Sequence, residues 1–315
     1  MMIPVVCNDS AGGWVVCDRN QMERVLPQAR RQVRGSTTSP YLWMLAGSLA
    51  FSVMGAFAHA AGRQCEWQIV ALCRSLLVFL LVGALALATK TQFVFWRPGI
   101  LWMRSIAGSL SLIGTFYALS RLQVSTVLTV TNIFPVWVAV LSWPMLGVLP
   151  APRVWLAMLA GVIGVWFIQH PHADGPQLAL AIALASSLAT AVAMLGLHKL
   201  HAINPRAIVV HFSFVATLGC IASFFLFPLT PGPVPFWYAE PLLLLLGVGI
   251  FASIGQLFLT KAFAAGDPSK VSIVGLSQVV FALVLDLGQG HVFDEWTLFG
   301  MCLIVAPTAW VMRKT

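Results

Sequence analysis

The sequence predicts an all-α polytopic membrane protein, with ten transmembrane helices in two inverted five-helix repeats. Three observations predict it: a composition outside the soluble range, recurring apolar runs of membrane-spanning length, and basic residues that gather on one side of those runs. The chain has 315 residues, 59% hydrophobic and 9% charged, with a mean hydropathy of +0.89. A soluble domain carries roughly 25% charged residues, and disorder needs low hydrophobicity with many charges, so both classes are excluded. Six cysteines over this length are too sparse for a disulfide-built scaffold.

Spans are expected at 41–60, 66–89, 98–119, 124–146 and 154–169, then at 177–197, 207–227, 241–262, 269–287 and 296–312. The runs are continuous, without the short alternating segments of a β-barrel, so the spanning elements are helices. With the N-terminus inside, the cytoplasmic connections and helix ends hold Lys90, Arg97, Arg104, Arg153, Lys199, Arg206, Lys261, Lys270, Arg313 and Lys314. The opposite side holds Arg63 and Arg121. An odd span count would scramble this bias, so count and orientation support each other. Both termini are expected in the cytoplasm, and the membrane is the inner or plasma membrane. The net charge of +8 then reflects insertion topology and not nucleic-acid binding. Trp43, Trp67, Trp96, Trp155, Trp237, Trp296 and Trp310 fall near span ends, as interfacial anchors do.

Residues 1–39 read as a cytoplasmic tail, with a second candidate start at Met22. They lack the apolar core of a cleaved signal peptide, and Pro27 interrupts the basic stretch before Arg34. Cys7 and Cys17 have no following histidine pair and do not form a zinc motif. Cys65, Cys73, Cys220 and Cys302 read as packing residues. The repeats are assigned to 40–170 and 176–315, separated by Gln169-His170-Pro171-His172-Ala173-Asp174-Gly175-Pro176, whose prolines and glycine stop one helix before the next begins.

An offset of 144 residues lays Ala118 on Ala262 and aligns the following stretch to Trp137 and Phe281 without a gap. Ser125 falls on Ser269, Val127 on Val271, Val130 on Val274 and Val136 on Val280. Span three then registers with span eight and span four with span nine. A repeat of five spans reverses direction across the membrane, the arrangement from which alternating-access carriers are built. Spans one and six also carry small residues at helical spacing, Ser48, Ser52, Ala56 and Ala60 in one, and Ala181, Ala185, Ala189 and Ala193 in the other. Such ridges allow close approach of helices in lipid.

These residues resemble the drug/metabolite transporter superfamily, specifically its EamA-type ten-helix carriers, over about residues 40 to 312. The resemblance rests on Cys73-Arg74-Ser75 in span two and Phe116-Tyr117-Ala118-Leu119 closing span three. It continues in Pro135-Val136-Trp137 and Leu141-Ser142-Trp143 of span four and in Gly161-Val162-Ile163-Gly164-Val165 of span five. In the second half it is carried by Lys261-Ala262-Phe263 and Gln278-Val279-Val280-Phe281. It implies a secondary transporter of a small metabolite, amino acid-like or drug-like solute. Two departures stand out. Many relatives place a glutamate just after span four, where this chain has Leu146-Gly147-Val148-Leu149, so no role of that acid carries over. Val279 stands where a proline is usual, so the resemblance supplies no kink there.

Ionisable groups inside spans are functional candidates by default. Arg74 lies about a third of the way into span two, and Asp286 lies near the outer end of span nine; facing one cavity, they would pair or present opposite charges to a zwitterion. Further substrate-pathway candidates are His59, Tyr117, Asn132, Trp137, His211, Gln256 and Gln278, with interhelical hydrogen bonding as the plainer role of each. Asn132 and Gln278 lie two residues apart after the 144-residue shift, and Arg74 and His211 occupy corresponding spans. No phosphate-binding glycine loop occurs, so exchange or coupling to a proton or ion gradient is the expected energy source. No cofactor or metal is expected. The expected partners are a small-molecule substrate and the bilayer, with a second copy of the chain left open. An intramembrane enzyme would need a nucleophile and base or metal ligands at helical spacing, and neither H-E-x-x-H nor G-x-S-x-G is present. A channel would need a ring of selectivity residues, and a non-transporting scaffold would leave the insertion cost of Arg74 without a return.

Overall fold

The computed structural model describes residues 6–8, 14–16, 39–96, 98–169, 176–227, 238–287 and 294–313. In the first unit, residues 1–39, β1 (Val6–Asn8) and β2 (Trp14–Val16) pair antiparallel, Cys7 opposite Val15. The second unit is entirely helical among its described residues. Its elements are α1 (Ser39–Gly62), α2 (Trp67–Ala88), α3 (Gly99–Leu119), α4 (Val124–Thr131), α5 (Phe134–Leu146) and α6 (Pro152–Gln169), followed by α7 (Gln177–Lys199), α8 (Pro205–Leu226), α9 (Ala239–Ala265), α10 (Pro268–Gly275), α11 (Ser277–Leu287) and α12 (Glu295–Arg313). These supply ten spans long and apolar enough to cross a membrane, because α4 with α5 and α10 with α11 each form one crossing.

Local chemistry sets the ends. Asn204 caps α8 by accepting from Arg206 N at 3.0 Å, with Pro205 in the first turn. Asp267 and Pro268 repeat the device on α10, where the carboxylate accepts from Ser269 N at 3.0 Å. Asp294 accepts from the Thr297 backbone and hydroxyl at the start of α12. Gly147, at φ +71°, closes α5 in the left-handed conformation that glycine adopts without penalty.

Most of the main helix contacts recur when the two halves are exchanged; those of α10 with α5 and α6 and of α7 with α9 do not. α3 lies along α7 and α8, and α9 lies against α1 and α2. α5 packs on α7, while α10 and α11 receive hydrogen bonds from α1. The pairs α2 with α8 and α6 with α12 map onto themselves. In the last of these, a Cβ on Gly164 would lie 2.7 Å from the Gly300 carbonyl, and one on Gly300 would lie 2.6 Å from the Gly164 carbonyl, so the backbones touch only because both residues are glycine.

The packed ridges differ from those expected in one respect. On α1, Ser48 and Ser52 are buried but Ala56 is exposed; on α7, Ala193 is buried while Ala181 and Ala185 are exposed, the buried line there including Ala179, Ala183 and Ser187. Alanine is abundant on every side of α7, so spacing alone does not select the packed face along its whole length. Buried hydroxyls mostly donate to the carbonyl one turn back, as Ser109 does to Ser105 at 2.7 Å and Thr260 to Gln256 at 2.7 Å, which satisfies them without water. Leucines such as Leu80, Leu110, Leu156 and Leu243 point outward, as a lipid-facing surface requires.

Candidate functional site

Spans four and nine are interrupted at equivalent residues. α4 ends at Thr131 with Asn132 as its cap, and α10 ends at Gly275 with Leu276 as its cap, so the offset of 144 carries one break onto the other. In α4, Thr131 and Asn132 turn back to the Val127 and Leu128 carbonyls at 2.8 and 2.7 Å, and Pro135 lacks the N–H that would continue the ladder. No proline stands at the second break. There Ser48 donates to the Gly275 carbonyl at 3.4 Å and Ser52 to the Gln278 carbonyl at 2.7 Å.

The expected candidates distribute unevenly around these breaks. Asn132 sits in the first and Gln278 just past the second. Trp137 on α5 donates its indole N–H to Ser187 on α7 at 3.0 Å. Gln256 is 5% exposed on α9. Arg74 is half-buried on α2, and its Nε donates to the Met54 sulfur at 3.3 Å. Tyr117 lies apart, at the end of α3, against Trp67 and Phe227 with ring centroids at 6.1 and 5.1 Å. His59 is exposed near the end of α1, 3.4 Å from Arg63. Asp286 is on α11, but its side chain falls outside the described residues, as does its expected pairing with Arg74.

The group that the sequence reading missed surrounds Arg104. Counted there among the cytoplasmic flanks, Arg104 is instead 1% exposed and the largest of the fully buried side chains. Its guanidinium carbon lies 4.0 Å above the Phe212 ring on α8, and its Nη1 fills the space that a Cβ on Gly108 would need. Nε and Nη1 have no hydrogen-bond partner. Next to it, Ser105 and His211 Nδ1 are 2.8 Å apart, and His211, also 1% exposed, is enclosed by the edges of Phe95 and Trp102. Arg74 lies on α2, which packs against both α3 and α8, so the spans of Arg74 and His211 both border the helix that carries Arg104.

Two arginines in one bundle interior with no carboxylate partner among the described residues are expensive. Insertion of one into hydrocarbon costs about 3 kcal/mol, whereas a desolvated cation–π contact returns about 2 kcal/mol. The signal was present in the sequence: Arg104, Gly108 and Ser111 fall at i, i+4 and i+7, one inward stripe, and Ser111 meets Thr190 on α7 at 2.5 Å. A flank residue would not share a face with small and polar residues deeper in the span.

Two hollows lie elsewhere. An apolar groove of about 640 Å³ runs between α6 and α12, lined by Leu156, Ala160, Cys302, Leu303 and Trp310. A polar pocket of about 390 Å³ forms where the α2–α3 and α7–α8 connections meet, lined by Lys90, Gln92 and Asn204. Among the described residues, no three His, Cys, Asp or Glu side chains come together to hold a metal.

Residues 38–169 match the EamA-like transporter family. The chain is 28% identical over 279 residues to the pseudopaline exporter CntI of Pseudomonas aeruginosa, covering 85% of this chain and 93% of that one. It is 22% identical over 270 residues to an uncharacterized transporter of Helicobacter pylori, covering 83% and 90%, and 27% identical over 240 residues to the probable transport protein YPL264C of Saccharomyces cerevisiae, covering 67% and 66%. A solved crystal structure with 17% identity superposes with a TM-score of 0.76 over 89% of this chain and 100% of its own, so the fold is shared. The EamA-like first half, the transporters aligned along most of the chain and the ten-helix fold make this chain similar to the drug/metabolite transporter superfamily and support a multi-pass membrane transporter of small solutes.

Proposed function

We propose that the protein is a secondary carrier that works by alternating access between residues 40–170 and 176–315, and that it has no enzymatic activity. The observation that carries this reading is the exchange symmetry of the helix contacts, with an interrupted span at the same place in each half. If the two halves trade conformations, the shared contacts are kept while those without a counterpart, of α10 with α5 and α6 and of α7 with α9, pass to the other half and the side open to water changes. The membrane is the inner or plasma membrane with both termini cytoplasmic, an orientation supported by Lys90, Arg153, Lys199 and Arg206 after Arg104 is removed from the flanks. The solute is small and polar or amphipathic, and its movement is driven by exchange or by a proton or ion gradient.

The direct test is uptake by proteoliposomes offered a mixture of bacterial metabolites, read by mass spectrometry against protein-free vesicles. Pseudopaline is the first defined solute to include, because the aligned Pseudomonas aeruginosa protein is named for its export. Solutes that enter only with protein present support the carrier, and equal content in both vesicle types refutes it. Arg74→Ala is expected to lower the flux of an anionic or zwitterionic solute by about tenfold, the loss of one charged hydrogen bond. Full flux would reduce Arg74 to packing against Met54.

A further inference from the structure

We infer that Arg104 is a binding residue for an oxyanion, the carboxylate or phosphate of the transported solute; this rests on the carrier reading and adds the solute's chemical class and its anchor. The inference starts from the balance of donors and acceptors. Arg104 is 1% exposed, and its Nε and Nη1 are buried without partners. A guanidinium has five N–H donors and no acceptor, so only acceptors can complete it, and an anion does so best. Among the described residues no carboxylate reaches it.

The surroundings suit a charge that waits for a ligand. The Phe212 ring covers one face at 4.0 Å, and the backbone at Gly108 comes close because it has no side chain. A Cβ on Gly196 of α7 would lie 3.1 Å from the Arg104 Cβ, so three helices close around the residue. Arg74 adds a second cation on α2, a helix that packs against both α3 and α8.

Approach is available from one end. Arg104 lies five residues after the start of α3, about 8 Å along the axis. The polar pocket containing Lys90, Gln92 and Asn204 is formed at that same end, by the chain leaving α2 and entering α8. Phe95, which follows Val94 of the pocket lining, and Trp102, two residues before Arg104, both lie against His211. A solute anion entering past Lys90 would meet these rings on its way to Arg104.

The test uses the full chain in detergent and measures its melting temperature with succinate, glutamate or inorganic phosphate. The controls are succinamide, glutamine and chloride at equal ionic strength. At least one oxyanion is expected to raise the melting temperature of the native protein by a few degrees while its control does not. Arg104→Met is expected to melt at or above the ligand-free native protein and to lose that shift, with affinity lower by at least about tenfold. Arg104→Lys, which keeps the charge but not the planar donor array, keeps the test readable if the methionine variant does not fold, and is expected to weaken the shift. Succinate and glutamate acting without phosphate would identify a carboxylate site, and phosphate alone a phosphate site. The inference is overturned if no oxyanion shifts the native protein or if the shift survives in both variants. Uptake that fails in native proteoliposomes while the oxyanion shift is lost in the variants would refute the carrier and leave the site standing.

Discussion

Span four breaks at Asn132 and span nine at Leu276, residues related by the 144-residue offset, yet different forces hold the two breaks open. In the first, Pro135 removes a donor and its ring excludes a continuous helix, so the interruption is covalent. In the second, every residue around Leu276 can adopt helical conformation, and Val279 N still donates to the Leu276 carbonyl at 3.0 Å. The Gly275 carbonyl freed there is met from outside by Ser48 of α1, and Ser52 shares its proton between the Ser48 carbonyl and that of Gln278 in the first turn of α11. The comparison teaches that one interruption is permanent, while the other depends on α1 staying in place.

The largest expected effect follows from removing those donors. Ser48→Ala with Ser52→Ala deletes two interhelical hydrogen bonds, each worth about 0.6 to 1.7 kcal/mol in a membrane. The pair is expected to lower the melting temperature by several degrees and to reduce turnover in proteoliposomes by at least severalfold. A variant indistinguishable from the native protein in both measurements would show that the second break needs no help from α1.

A smaller and more selective effect is expected from Val279→Pro, which places proline at the position equivalent to Pro135. Alone it forfeits the Val279 to Leu276 hydrogen bond, about 1 kcal/mol, in the first turn of α11, where proline is tolerated. Combined with the serine pair it should cost less than the sum, because proline then enforces the break that the serines had supported. A thermal double-mutant cycle measures this coupling. Strict additivity would mean that the serines stabilise α1 packing generally and not the interruption.

The same contrast explains what was legible in the sequence. Ten spans were readable because hydropathy over twenty residues reports a solvent preference that no neighbour can reverse. The first break has a local cause in Pro135, whereas the cause of the second lies 227 residues away in Ser48 and leaves no mark near Gly275. The repeat offset registers span four with span nine, and the break at Asn132, once seen, falls on Leu276 by that offset. Arg104 was misplaced because a basic residue near a helix start has two explanations, flank or buried cation, and charge counting considers only the first. The face it shares with Gly108 and Ser111 separates them, but that requires periodicity to be read together with charge. Asn132 and Gln278, chosen by register, fall at or next to the two breaks, while Tyr117 and His59, chosen by residue type, sit toward helix ends among surface or aromatic neighbours.

The smallest effect tests the first half by itself. Trp137 donates to Ser187 across α5 and α7, the contact that exchange of the halves relates to that between α11 and α1. Trp137→Phe removes this hydrogen bond and part of the ring while keeping an aromatic group in place. Because Pro135 already fixes the interruption, the bond is asked only to hold α5 on α7, and its loss should cost about 1 kcal/mol or less. The melting temperature is then expected to fall by less than in the double serine variant, with no rescue from Val279→Pro. Should Trp137→Phe destabilise the protein as much as the serine pair does, the first break would also depend on a neighbouring helix, and the distinction between a covalent and a conditional interruption would fail.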